Sequence, residues 1–281
     1  MATTEKQIAR VFPRRTNATP VDILAFTELP GLFPPNVDEV HVSVTFTYDI
    51  PRAEWLAKQW ERIAPVKIGG PAYNDPGDFF EPGFYLKPGY VFTSRGCPNN
   101  CWFCSVPKRE GKIRELPIAD GWNILDSNLL ACSEPHIRAV FAMLILQKHR
   151  VEFTGGLEAA ILQNWHVDLL AKLKPRPSIF FAYDTPDDYE PLVRAGRMML
   201  AAGFTRAAHN LRCYVLIGYP NDTINAAEKR LLQAWNAGFT PMAMLWRNQN
   251  GDRLPEWQTF QRHWARPASV AALCKELPCK H

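Results

Sequence analysis

Three cysteines, Cys97, Cys101 and Cys104, fall within "GCPNNCWFCSVPK" and have no fourth cysteine or histidine beside them. Thiolates are soft ligands for iron or zinc, and the number of protein ligands decides what the metal can do. A structural zinc takes four protein ligands, whereas three thiolates around a small cubane cluster leave one iron open to a ligand that reacts there. The spacing is therefore read as a cluster loop with an open iron, or as a zinc site completed by a distant histidine or cysteine.

The elements that must position this loop follow from the pattern around it. Strand-like runs at 90–96, 122–128, 151–156, 178–184, 211–219 and 241–247 alternate with helical patterns. This is the rhythm of parallel β/α units. Ser133 with Pro135, and Thr185 with Pro186, Asp187 and Asp188, mark helix starts. Gly203 and Gly238 suit left-handed helix ends. Six units predict a partial (β/α)6 TIM-like barrel for 86–250, although a doubly wound sheet has the same local pattern. In either fold the chemistry gathers where strands end, and Cys97 directly follows the first strand of the series.

Upstream, residues 1–20 are polar and basic and are expected to be mobile. The stretch 21–85 reads as a small α/β region, with a strand in "EVHVSVTFTY" (39–48), a helix in "PRAEWLAKQWERIA" (51–64) and a short parallel strand in "PVKIGGP". "NDPGDFFEPGFYLKPGY" (74–90) is Pro/Gly-rich and marks the boundary.

The chain has 281 residues, 47% of them apolar, and a net charge of +4. Its longest apolar run, 139–146, is far short of the roughly 18 residues that span a bilayer. No membrane segment is expected. The first residues lack the pattern of a secretory signal, and seven cysteines in a chain this long are no disulfide scaffold, so a cytoplasmic setting is expected.

The motif CxxxCxΦC, with Phe103 as the aromatic, after the first strand of a β/α repeat resembles the radical S-adenosylmethionine (SAM) superfamily. "TSRGCPNNCWFCSVPKREGKIRELP" is most similar to its cobalamin-binding-type branch. The resemblance covers about 90–247. It implies a four-iron, four-sulfur cluster on Cys97, Cys101 and Cys104 whose open iron chelates SAM. It also implies an electron donor such as a flavodoxin or ferredoxin, and reductive cleavage of SAM to a 5′-deoxyadenosyl radical that abstracts hydrogen from a substrate. That substrate is left open, a nucleic acid or nucleotide being possible.

The same resemblance implies roles at other strand ends. Phe103 would lie near adenine. Asp126 and Asn128 follow the second strand, Gly155, Gly156 and Glu158 the third, and Asp184 the fourth, where glycines admit a ligand and carboxylates hold an ammonium or ribose hydroxyls. "VLIGYPNDT" resembles the segment whose backbone meets adenine, which brings in Gly218 and Pro220. The family's Gly-Gly-Glu is contiguous and follows the second strand; "GGLE" departs on both counts. "TGG" also reads as a plain strand-to-helix turn, and Asp184 as a helix-capping acid. Residues 21–85 resemble a truncated Rossmann-like cobalamin domain, but no DxHxxG segment is present and cobalamin is not expected.

Cys132 and Cys213 lie in apolar runs and read as buried. Cys274, Cys279 and His281 would make a second metal site or a fraying terminus. In 251–281 and just before it, Trp246, Trp257, Phe260 and Trp264 interleave with Arg247, Arg253, Arg262 and Arg266. Such a tail stacks bases and meets phosphates, which supports a competing class: a non-enzymatic zinc or iron–sulfur module that binds nucleic acid. The helical spacing of Trp257, Phe260 and Trp264 argues instead for packing on the core.

Overall fold

The computed structural model describes residues 6–75, 80–208, 210–248 and 250–276. Strands β1 (Ile8–Val11), β2 (Ala25–Phe26) and β3 (Glu39–Ser43), helix α1 (Ile50–Trp60) and strand β4 (Val66–Gly69) build a first sheet. Its order is β2-β1-β3-β4, with every pairing parallel. Helix α1 buries Ala53, Leu56, Ala57 and Trp60 at helical spacing, beside Ala9, Val11, Val40, Val42 and Val44 of the same core. Burying Leu56 and Trp60 contributes about 2–3 kcal/mol each.

The expectation of a mobile 1–20 is overturned for 6–20. β1 lies inside the sheet, paired on both sides, with Ala9 and Val11 fully buried. Arg10 masked this strand by interrupting its apolar pattern. Its guanidinium is buried, with Asp22 and the Phe84 carbonyl accepting from its two terminal nitrogens. The boundary placed at residue 20 therefore runs through one sheet.

The rest of the chain repeats strand and helix. β5 (Tyr90–Val91) leads to β6 (Ser94–Arg95), α2 (Val106–Arg109) and β7 (Arg114–Glu115). Next come β8 (Asn123–Ile124), α3 (Glu134–Ile145), β9 (Glu152–Leu157), α4 (Asn164–Lys172), β10 (Ser178–Tyr183) and α5 (Tyr189–Ala201). β11 (Leu211–Ile217), α6 (Ile224–Asn236), β12 (Thr240–Leu245), α7 (Pro255–His263) and α8 (Pro267–Glu276) complete the chain.

The six strands β5-β8-β9-β10-β11-β12 form one parallel sheet in chain order. Each of the six strand-like runs contributes one of them. The protein is thus a mixed α/β chain with two parallel sheets. Ser133 caps α3 by accepting from His136 N, and Thr185 with Asp188 forms a reciprocal capping box ahead of α5.

Trp257, Phe260 and Trp264 are buried against the larger core, as their spacing requires. Cys213 is buried in that core and Cys132 lies at its margin. Cys274 packs against it partly buried, while Cys279 and His281 lie outside the described residues. No helix among the described residues is long and apolar enough to cross a membrane.

Candidate metal and cofactor site

The cysteines sit on an excursion from the carboxyl end of β5, closed at its base by an antiparallel ladder. Ser94 pairs with Glu115 and Arg95 with Arg114. Beyond the ladder the chain turns sharply at Gly96, where φ is +86° and an added Cβ would lie 2.2 Å from the Lys112 carbonyl oxygen. Cys97 N donates to Gly111 O at 3.1 Å, and Gly96 N to Glu110 Oε2 at 3.1 Å. Glu110 is buried and ion-paired with Arg109 at 2.7 Å and Arg95 at 3.6 Å.

A second anchor ties this base to the sheet. Asp126, buried at the end of β8, accepts from Thr93 N (2.7 Å), Thr93 Oγ1 (2.6 Å) and Ser94 Oγ (2.6 Å). Burial pushes its carboxyl above the ordinary range despite those donors. The resemblance places Asp126 at a cofactor; in the structure both of its oxygens accept from Thr93 and Ser94 at the base of the cysteine loop.

Cys101 N–Cys104 spacing closes as a turn, with Cys104 N donating to Cys101 O at 3.1 Å. All three thiols are free and partly exposed. Burial raises the Cys101 thiol, and the neighbouring Cys104, Cys97, Asp188 and Asp184 raise it further. Burial also raises Cys104, with Cys97 and Asp184 adding to the shift. The loop and the end of β10 are therefore electrostatic neighbours, which a cation or a metal at the thiols would relieve.

Among the described residues no group of three His, Cys, Asp or Glu side chains converges on a single ion position. A cubane cluster binds each thiolate through a different iron, so its ligands stand apart, whereas tetrahedral zinc needs them to converge.

Asn128 and Glu158 come together beside Cys97. Asn128 Nδ2 donates to Glu158 Oε2 at 2.5 Å and lies 3.6 Å from Cys97 Sγ. Asn128 Oδ1 is buried without a hydrogen-bond partner. A carboxylate beside an orphaned amide oxygen invites a ligand rich in N–H donors. Glu158 also lines a cleft of about 440 Å³ with Pro98, Asn99, Cys132, Trp165 and His166. Burial pushes the Cys132 thiol up to about 11.

The glycines divide. Gly155 approaches β8 so closely that a Cβ would lie 2.2 Å from Asp126 O. Its need is backbone packing within β9, and "TGG" lies inside that strand and is not a strand-to-helix turn. Gly156, at φ +92°, is less crowded, a Cβ there meeting only Phe180 O at the ordinary contact distance of 3.9 Å. Both sit where the β9–β10 register shifts, between Phe153–Ile179 and Leu157–Phe181. This bulge turns the end of β9 toward the site.

Asp184 is not the capping acid here, since Thr185 and Asp188 form the capping box of the short 3-10 turn that leads into α5. Its Oδ1 accepts from Leu216 N at 3.1 Å. Burial, then Asp188, pushes its carboxyl up to about 6. Phe103 is partly buried and packs edge-on to Trp102 at 5.3 Å. Gly218 belongs to a turn closed by Asp222 (2.8 Å to Gly218 N), where a Cβ would press on Leu245 at 2.7 Å and Trp257 at 3.0 Å. Packing accounts for it, and Pro220 is exposed beyond it.

Sequence reasoning passed over Trp102, which is 59% exposed and contacts Tyr219 edge-on at 5.6 Å. It ties the cysteine loop to the loop after β11. Its place between two cysteines was the available signal. Glu110, Thr93 and Ser94 carried none, because their roles exist only once the hairpin closes.

No protein-family model matches the chain, and no curated protein matches it significantly.

Proposed function

We propose that this chain is a radical SAM enzyme with a four-iron, four-sulfur cluster on Cys97, Cys101 and Cys104 and SAM beside it. The observation that carries the reading is the meeting of an anchored three-thiol loop with Glu158 and the orphaned Asn128 oxygen at one edge of a parallel sheet. When bound, the cluster would supply a low-potential electron for reductive cleavage of SAM. The chain's own part is to hold and shield. Glu158 and Asn128 Oδ1 would accept from the SAM ammonium, Gly156 would leave room for it, and Asp184 would present its second oxygen to a ribose hydroxyl.

We read the larger sheet as a partial (β/α)6 barrel, with the first sheet as a truncated Rossmann-like extension. Strands laid down in chain order by right-handed crossovers put their helices on one face, and the sheet then curls to enclose the other. The exposure of Ala182 near the carboxyl end of β10 supports an open face at that edge. A one-electron donor of the flavodoxin or ferredoxin type completes the scheme; the substrate remains a nucleic acid, a nucleotide or another metabolite.

The competing reading, a nucleic-acid module using the C-terminal tail, keeps Trp246 as a partly exposed ring, whereas Trp257, Phe260 and Trp264 are buried. The test is anaerobic reconstitution. It should give about four irons per chain, and dithionite with SAM should release 5′-deoxyadenosine. Alanine at Cys97, Cys101 or Cys104 should abolish both. Glu158→Gln should keep the iron and weaken SAM binding by about 1–3 kcal/mol, the scale of a charge-assisted hydrogen bond. Stable zinc binding with no iron chromophore would sink the reading.

A further inference from the structure

The smaller sheet contains a point where its order reverses. From β1 the chain goes to β2 on one side and then places β3 on the other. Loops leaving the carboxyl ends of β1 and β3 diverge there, and open parallel sheets take ligands in such a crevice. Arg14 follows β1, and Phe46 and Tyr48 follow β3. The two rings stack with centroids 5.2 Å apart and planes 7° from parallel, and Phe46 remains 38% exposed.

The loop after β12 of the larger sheet completes the surface. Arg247 lies 4.8 Å from the Tyr48 ring centre and Arg14 5.0 Å from it. Gly251 backs the same residue, since a Cβ there would stand 2.6 Å from Tyr48 Cβ. Arg14 forks onto buried Asp49 at 2.6 and 2.5 Å, which fixes its plane over the ring and neutralises its charge. Arg247 shows no such ion pair among the described residues: burial lowers its pKa, Arg253 and Arg14 lower it further, and Tyr48 and Asp49 pull it back up. Asp252, the carboxylate of this loop, accepts from Asn248 Nδ2 at 2.7 Å and keeps its charge.

Arg14 and Asp49 thus neutralise each other, and Arg247, with Arg253 acting on it, outweighs Asp252 by one positive charge that an anion would balance. An exposed ring beside excess guanidinium charge holds a base by stacking and its phosphate by charge. We infer that this crevice binds a phosphorylated nucleobase, with Phe46 as the stacking surface and Arg247 and Arg253 as the phosphate contacts. The inference stands apart from the iron–sulfur reading, because none of these residues belongs to the cysteine loop.

Fluorescence anisotropy of a labelled single-stranded oligonucleotide of about ten nucleotides, titrated with the full chain, tests it. Saturable binding is expected, weakened about tenfold by Phe46→Ala, and with its salt slope reduced by about one in Arg253→Gln. Both positions are exposed, and unchanged melting temperatures would verify that the variants fold. Displacement by AMP would identify a free nucleotide as the source of the base, and resistance to AMP a single-stranded polymer. Absence of saturable binding by both probes, equal displacement by polyglutamate, or wild-type affinity in both variants would overturn the inference. 5′-Deoxyadenosine release by the same reconstituted preparations reports separately on the cysteine loop.

Discussion

Asp184 has one oxygen on Leu216 N and a carboxyl pushed up to about 6 from an ordinary 3.8, first by burial and then by Asp188. Arg230 pulls it the other way, while Cys101, Cys104 and Cys213 lie within its field. The folded state therefore holds more protons than the unfolded state between about pH 4 and 6, so stability falls as pH rises through that window. Asp184→Asn keeps the acceptor for Leu216 and removes the titration. In urea denaturation of the metal-free protein, the variant should match the wild type near pH 4 and exceed it by about 1–2 kcal/mol at pH 7.5, a value reduced for partial solvent access. Equal stability at both pH values would mean that the carboxyl titrates as it does in water.

At the scale of elements, the cysteine loop is a long excursion held by short pieces: a two-pair ladder, a buried Glu110 and a buried Asp126. Asp126 is the member that couples the loop to the sheet. Asp126→Ala would leave Thr93 N, Thr93 Oγ1 and Ser94 Oγ without their acceptor. The expected loss is about 2–4 kcal/mol in denaturant titration, accompanied by lower iron uptake on reconstitution. Normal iron uptake in a folded variant would show that the ladder and Glu110 suffice to hold the loop.

At the scale of the molecule, helix α7, which follows the last strand, covers part of the larger core. Gln261 donates to the Ala243 carbonyl at 3.0 Å on the last strand of the sheet, and Trp257 packs where Gly218 leaves room for it. Trp264→Ala should cost about 3–5 kcal/mol, the range for removing a buried tryptophan. Trp102→Ala, at an exposed ring, should stay within about 0.5 kcal/mol. A small effect at Trp264 in urea denaturation would mean that α7 is not part of the cooperative core.

The six parallel strands, their caps and the cysteine spacing were written locally, because strand alternation, helix capping and ligand spacing act over a few residues. The amphipathic stripe of Trp257, Phe260 and Trp264 likewise predicted its own burial. β1 was hidden because an arginine interrupts it, and what makes Arg10 tolerable in a buried strand is Asp22 and a carbonyl from residue 84. Asp126 and Asn128 have similar sequence surroundings, yet one is consumed by Thr93 and Ser94 while the other meets Glu158 and Cys97. Gly155 packs tightly on the backbone after β8 while Gly156 makes only an ordinary contact with Phe180 O, both at the bulge in β9. Likewise, Arg14, Tyr48 and Arg247 meet only because two sheets bring their carboxyl ends together. Residue type and spacing determine which groups are available for chemistry; long-range contacts determine which of them still have a free valence when the chain has folded.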